Sequence, residues 1–525
     1  MAMTVPDGLG TVNDLLKRFQ SAQSRFGQWR SLHQEAFDYA APQRETFNEH
    51  SPGQRKNRFV FDSTAVNGLQ QFASRIQGSL IPSWQQWMSL GAGSEIPKEE
   101  ADRVNKALKD STDVVFSNLN HSNFDTEITP SLSDLGIGTG AILIEENDFD
   151  ESSAFRFTNV PLAELYVEMP ARGSIKNVWR KSNVQASNIP LTWPEADLPA
   201  ELQKIIDNDP LTMVEIKNAM LHNTQTKQFN QVVLWEKEAI FSQEFSTQRL
   251  IVFRWHVTPG EAYGRGPVIQ NLPDIRTANK IVEIILGNAA LQMSGVYTGR
   301  SDGLFNPNTA RIAPGSIIPV LSNDDTNPTM RTLPMSGNIG LGDGVLQMVQ
   351  NNIRKSLFSD PLGEITDPVR SATENIIRNQ EFLKQSGASI GRMKSELIEP
   401  LISACVDILM TRGLMPEISV DGREVTINQE SPLAKAENQE SFQNTNLWLS
   451  TMVGLLPPQV LGLSIKMEEV PTVTAKQLGI DPDLLRTEEE RVQAAQTVKA
   501  AAEQGLDVGI QGQAPTGQPQ QAPAV

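Results

Sequence analysis

Cysteine is almost missing from this sequence. Cys405 is the only one in 525 residues, so no intrachain disulfide can form and a reducing compartment fits. Histidine is scarce as well. The five present (His33, His50, His121, His222 and His256) are scattered and never at metal-ligand spacing, which argues against a zinc site. No Gly-Lys pair occurs anywhere, which rules out a Walker A loop and with it an ATP-driven motor. Long apolar runs are absent too. The best candidate to cross a bilayer, IVEIILGNAALQM, is short and contains Glu283. The opening residues MAMTVPDGLG have neither the basic nor the apolar region of a signal peptide, and no membrane association is expected. Basic charge is in deficit, with 45 Lys and Arg against 62 Asp and Glu, for a net charge of −17. Such a chain is not built to grip nucleic acid over most of its surface, since neutralising phosphates takes Lys and Arg. Solubility alone accounts for the acidity. It leaves room for a protein that handles DNA without holding it.

What is present is an ordinary folded composition, 39% hydrophobic and 20% charged, with chain enough for about three domains. From Leu15 through Phe19, Ala22, Phe26, Trp29 and Leu32 to Ala40, apolar residues recur at three- and four-residue steps, the pattern of an amphipathic helix. Thr11 and Asp14 supply a capping box at its start, and Pro42 stops it. After the basic loop SPGQRKNRF, a second helix reads from DSTA, with Asp62 or Ser63 as cap, to Gly78; a third covers about 98–119. The period then changes. AILIEEND, FRFTNV, ELYVEM, SIKNVWRK, QVVLWEKEAI and RLIVFRWHV are short β-branched and aromatic runs separated by turn residues, with one helix inserted near 200–221. Helical spacing returns after Pro267, interrupted early by Pro273. Some forty turn-rich residues, about 295–338, hold strand-like pieces such as SIIPVL. A helix from about Asp343 to Phe358 follows, then the Pro/Gly loop SDPLGEITDPVR. A long helix next starts at the Ser371–Glu374 capping box and runs to Thr411, with a break expected at Gly387 or Gly391. EISVDGREVTIN reads as a hairpin, the region beyond it as helical, and QGQAPTGQPQQAPAV (511–525) as a disordered tail.

Catalytic motifs fail their structural tests. GASIG, 387–391, matches a nucleophile elbow centred on Ser389, but ENIIRNQEFLKQS before it reads as helix, not strand, and no histidine follows. GIGTG, 136–140, has the glycines of a dinucleotide fingerprint in inverted order, since its strand comes after them; a tight turn feeding a strand explains it better. FDSTA is accounted for by helix capping. No catalytic residue and no cofactor is assigned.

The order of the distinctive segments carries more information than any one of them. FDSTA, FASRIQGSLIPSWQQWMSL, GIGTGAILIE, GEAYGRGP opening a helix, and RSATENIIRNQEFLKQSGASIGRMKSELIEPLI follow one another over about residues 12–490. In this the chain resembles the head-to-tail connector, or portal, family of short-tailed bacteriophages. The resemblance implies an α+β portal fold: a helical and β-rich wing (1–262), a first stem helix (263–294), a small α/β clip (295–338) and a second stem helix (339–358). Beyond these it implies a channel loop (359–370), a long wing helix with a hairpin (371–430) and a helical crown (431–510). It further implies a homo-oligomeric ring of twelve at one capsid vertex of the virion, assembled in the host cytoplasm. Double-stranded DNA would pass through it, with terminase, major capsid and scaffolding proteins, and tail adaptor proteins as partners. The channel-loop residues would be Asp360, Pro361, Gly363, Glu364, Asp367, Pro368 and Arg370. Arg276, Lys280, Arg354 and Lys355 on the stem would make weak DNA contacts or intersubunit salt bridges. Gly264, Arg265, Gly266 and Pro267 would form the wing-to-stem turn: the glycines let the backbone bend sharply, the proline suits a helix's first turn, and Arg265 pairs with an acidic neighbour or another subunit, a phosphate contact being the weaker alternative. The alternative is a ring-forming capsid scaffold or tail adaptor that does not line the packaging channel.

Overall fold

The structure, a computed structural model, describes residues 5–44, 47, 53–93, 95–147, 152–169, 173–294, 297–299, 326, 330–332, 339–359, 387–416, 425–455, 465 and 469–478. Its first half begins with helices. α1 (Val12–Ala40) starts at Thr11, where both bonds of the capping box with Asp14 form. α2 (Thr64–Leu80) follows Ser63, but the capping side chain is that of Asp62, whose Oδ1 accepts from the Thr64 N–H at 3.3 Å. α3 (Lys98–Asn120) lies where helical spacing put it. α4 (Phe124–Ile137) was not expected: it holds Pro130 internally and ends in small and polar residues, so its period is blurred. It buries Phe124, Ile128, Leu132 and Leu135.

The middle region is antiparallel sheet. β2 (Thr139–Glu146) is the centre of a three-stranded sheet between β3 (Phe155–Asn159) and β9 (Leu250–Arg254). A five-stranded meander runs in the order β4 (Leu165–Val167), β5 (Val178–Gln185), β6 (Met213–His222), β7 (Phe229–Trp235) and β8 (Glu238–Phe245). Two readings are corrected here. The inserted helix is short, α6 (Ala200–Asn208), preceded by the one-turn α5 (Ile189–Thr192), and after a turn at 209–212 the rest of 200–221 belongs to β6. VEIKNAML carries apolar residues compatible with either period, and pairing with β5 and β7 decides for strand. QVVLWEKEAI is two strands, because Glu236 turns the chain at φ 47 between Trp235 and Glu238.

α7 (Pro267–Gln270) and α8 (Leu272–Ser294) follow, broken at Asn271, with Pro273 inside the first turn of α8. β10 (Tyr297–Gly299) pairs with β11 (Met330–Thr332). α9 (Ile339–Ser356) then returns antiparallel along α8: Ser356 Oγ donates to Asn271 Oδ1 at 3.0 Å at one end, and Gly342 approaches Ile285 towards the other. The helix described from residue 387 runs to Thr411; Gly391 lies in regular helix, and the irregularity among the described residues comes just after it. Lys394–Ile398 forms a π turn in which the Glu399 N–H donates to Lys394 O, five residues back. Pro400 has no N–H to close the α-helical bond to Glu396 O, which favours the wider turn. β12 (Val425–Gln429) pairs with β1 (Met88–Ala92), Leu90 opposite Ile427, so its described partner is not a local hairpin strand. The helices Pro432–Leu455 and Val470–Leu478 complete the described chain. Residues 360–386, with the Ser371–Glu374 capping box, SIIPVL, 417–424 and the 511–525 tail lie outside the described residues.

One large core joins α1, α2 and α4 to the three-stranded sheet and to the helix ending at Thr411. A smaller core under the far half of the meander collects Trp193, Leu202, Ile216 and Ile240. Among the described residues α8 and α9 reach the large core through Ile275, Ala278, Val349 and Ile353, with Leu346 packed against it; beyond these the pair extends away from the core with exposed apolar side chains.

Candidate functional site

The two glycine-rich motifs of the sequence are halves of one clasp. GIGTG ends α4 and starts β2, while YGRGP leads from β9 to α7. Gly266 N–H donates to Ile137 O at 2.8 Å, Gly264 N–H to Thr139 Oγ1 at 2.9 Å, and Trp255 N–H to Gly138 O at 3.0 Å. A Cβ on Gly138 would run into the Gly264 carbonyl, one on Gly264 into the Gly138 carbonyl, and one on Gly266 into the Gly136 carbonyl. The obstacle in each case is backbone, which cannot swing aside as a side chain does. Neither Gly264 nor Gly266 has a left-handed φ (Gly266 is at −87°). Glycine is therefore needed for close approach, not for a sharp bend. Pro267 is the first residue of α7, where a missing N–H costs nothing.

The side chains of the turn reach in other directions. Tyr263 is fully buried, and its hydroxyl donates to Leu165 O (3.0 Å) and accepts from Val167 N–H (3.2 Å), pinning edge strand β4. Burial pushes its phenol well above the usual range. Arg265 forms a bidentate pair with Glu261 (2.9 and 2.6 Å), which raises its pKa, and stacks over Trp29 of α1 with 4.9 Å to the ring centroid. The acidic neighbour is thus supplied within the chain. Beneath Arg265, His33 is enclosed by the rings of Phe26, Trp29, Phe47 and Tyr263. Burial, helped by the Arg265 charge, pulls its pKa down to about 3. Neither ring nitrogen has a hydrogen-bond partner among the described residues.

β9, the strand leading into the turn, ends on the buried Arg254 and is preceded by the buried Arg249. Arg254 donates to Glu396 (2.7 and 3.2 Å), to Ala262 O and to Gly173 O, and its own N–H donates to the same carboxylate. Arg249 pairs with Asp407 at 2.7 Å, which also accepts from Ser246 and Thr247. The two carboxylates are eleven helical residues apart and the two arginines five residues apart, and both separations span about 16 Å. The helix therefore lies antiparallel along β9 in a register set by charge. The projecting helix pair carries the four expected basic residues. Arg276 pairs with Glu35 of α1 at 3.2 Å, Lys280 with Glu283 at 2.9 Å, and Arg354 donates to Asn351 at 3.2 Å; Lys355 is exposed. Ile284, Leu286, Met293, Val345 and Met348 are exposed on the same two helices.

The sequence profile of the bacteriophage head to tail connecting protein family matches residues 12–485. This chain belongs to that family. A probable portal protein of Bordetella phage BPP-1 is 22% identical to the connector over 502 residues, 90% of this chain and 88% of the relative. The family is a structural one, in keeping with the rejected catalytic motifs: GASIG in this connector is helical from Gly387, so Ser389 stands on no elbow. Among the described residues no cluster of His, Cys, Asp and Glu suits a metal ion, and no helix is long and apolar enough to cross a membrane. The channel-loop residues Asp360, Pro361, Gly363, Glu364, Asp367, Pro368 and Arg370 lie outside the described residues. Inspection of the sequence found both glycine motifs but not their pairing, and it missed Arg254, Glu396, Arg249 and Asp407. Their one local signal is an arginine on either side of the apolar run 250–253.

Proposed function

We propose that the protein is the portal of a short-tailed phage: a ring of twelve copies at one capsid vertex through which the genome is packaged and ejected. The carrying observation is the family match over nearly the whole chain, supported by the name of the Bordetella phage relative. In this reading residues 1–262 are the wing, 263–294 and 339–358 the stem, 295–338 the clip, 359–370 the channel loop, 371–430 the long wing helix and hairpin, and 431–510 the crown. Terminase binds the ring during packaging, and tail adaptor proteins replace it afterwards. Capsid and scaffolding proteins hold the ring at its vertex.

Two physical features support this reading, one for assembly and one for the channel. Five apolar side chains stand exposed along a helix pair that projects from the core, and a single copy leaves them in water. The net charge of −17 suits a conduit, because each basic contact to phosphate adds salt-dependent affinity that slows a moving duplex. Negative-stain images of the purified chain should show rings with a central hole, and mass photometry a closed species near twelve copies. A monodisperse monomer at micromolar concentration would refute the reading. A ring that forms but is absent from the packaging vertex would favour the scaffold or adaptor alternative.

A further inference from the structure

The segment Gln54–Phe59, QRKNRF, concentrates three basic residues and an aromatic in a chain that is otherwise strongly acidic. Arg55, Arg58 and Phe59 are exposed, Phe59 at 76%. The loop is nevertheless fastened. Asn279 of α8, itself 7% exposed, accepts from the N–H groups of Phe61 (2.6 Å) and Asp62 (3.1 Å) and donates to Phe59 O (2.9 Å). Gln350 of α9 donates to Asp62 Oδ1 at 3.1 Å. A basic, aromatic loop is thereby mounted on the flank of the helix pair. Two α8 turns further along the same face, at the i+7 position from Asn279, Leu286 is 53% exposed.

Arginine beside an exposed aromatic is the composition of an interface hot spot. Anchoring by Asn279 means that little ordering entropy remains to be lost on docking. A basic patch calls for an acidic partner, and a second copy of this chain is acidic overall, at net charge −17. Duplex DNA is acidic too, but Phe59 and Leu286 offer apolar surface, which a phosphate backbone does not recognise and the core of a protein interface does. The basic residues of α8 nearest the loop, Arg276 and Lys280, are also engaged by Glu35 and Glu283. We propose that the Gln54–Phe59 loop is a docking arm, through which one subunit seats Arg55, Arg58 and Phe59 on an acidic face of a neighbouring copy. This rests on the ring reading and names a surface for it.

The test uses the full chain. Phe59→Cys places a thiol on the arm, and Cys405, fully buried, does not compete for a maleimide–benzophenone label. Irradiation should give a ladder of covalent oligomers whose cross-links map to Asp- and Glu-rich peptides. Arg55→Glu with Arg58→Glu should lower the ring population at limiting concentration by about tenfold or more. Cross-linking at an exposed site decides the matter even if the double variant folds poorly. Wild-type rings, no intersubunit cross-link from the labelled Phe59→Cys variant and an undiminished double variant would together sink the arm and leave the ring standing. A monomeric wild type removes both. Intact rings in a double variant that has lost salt-dependent DNA binding would overturn the proposal in favour of a nucleic-acid contact.

Discussion

His33 is the residue whose chemistry the fold alters most legibly. Its aromatic enclosure keeps the imidazole neutral, with a pKa near 3 in the folded chain against about 6.5 in an unfolded one. Between those values the unfolded state binds the extra proton, so stability falls as pH drops through the window, by up to about 1.4 kcal/mol per unit. Above about pH 6.5 the residue contributes no pH dependence. Urea titrations at pH 7 and pH 5 should show wild type losing about 2 kcal/mol more than His33→Phe. Equal losses in the two proteins would mean that the imidazole is hydrated after all. The glycines of the clasp act at the same scale by absence: their missing side chains let two peptide backbones touch.

Among the elements, the helix 387–411 is tied to β9 by two pairs, of which Arg254–Glu396 is the more deeply buried. The π turn at Lys394–Ile398 carries Glu396 to Arg254, and the two groups are 8% and 1% exposed. Breaking such a pair leaves a buried charge without compensation. Glu396→Leu alone should therefore cost about 3–5 kcal/mol, and Arg254→Met combined with Glu396→Leu should recover most of it. Removing Arg276 from its surface pair with Glu35 should cost less than about 1 kcal/mol. A double-mutant cycle in urea separates the cases, and a near-zero coupling for Arg254 and Glu396 would remove the register argument. Through this pair the helix is fixed to the strand that leads directly into α7 and α8. A shift of the helix along its axis would thus be felt at the base of the helix pair.

For the whole molecule, the proposed channel is tested at 359–370. SDPLGEITDPVR carries two prolines and a glycine, so helical continuity is discouraged there, and Asp360, Glu364 and Asp367 outweigh Arg370. Twelve copies converging on an axis would place a ring of acid around the duplex. Deleting 361–368 should spare ring assembly and capsid incorporation while impairing completion of packaging or retention of the genome. Replacing the three carboxylates with lysine should add DNA affinity that declines steeply with salt. Normal packaging by the deletion, together with unchanged DNA binding by the lysine variant, would move the channel elsewhere in the chain.

Much of this architecture was readable without coordinates, because the signals concerned are local. The Thr11–Asp14 capping box, the apolar steps of α1 and α2 and the β-branched and aromatic runs of β2, β3 and β9 each depend on neighbours a few residues away. The family resemblance came from the order of short motifs, which needs no geometry. Other features depended on contact between distant parts of the chain. β6 became a strand because β5 and β7 flank it, and α4 held together around Pro130 because the core covers it. β12 found β1, far earlier in the sequence. Gly138 and Gly264 are unremarkable until their backbones meet, and Glu396 looks like any surface carboxylate until a π turn aims it at Arg254. Propensity and capping act over one or two turns of chain; close approach and charge pairing exist only where folding brings separate segments within a few ångströms.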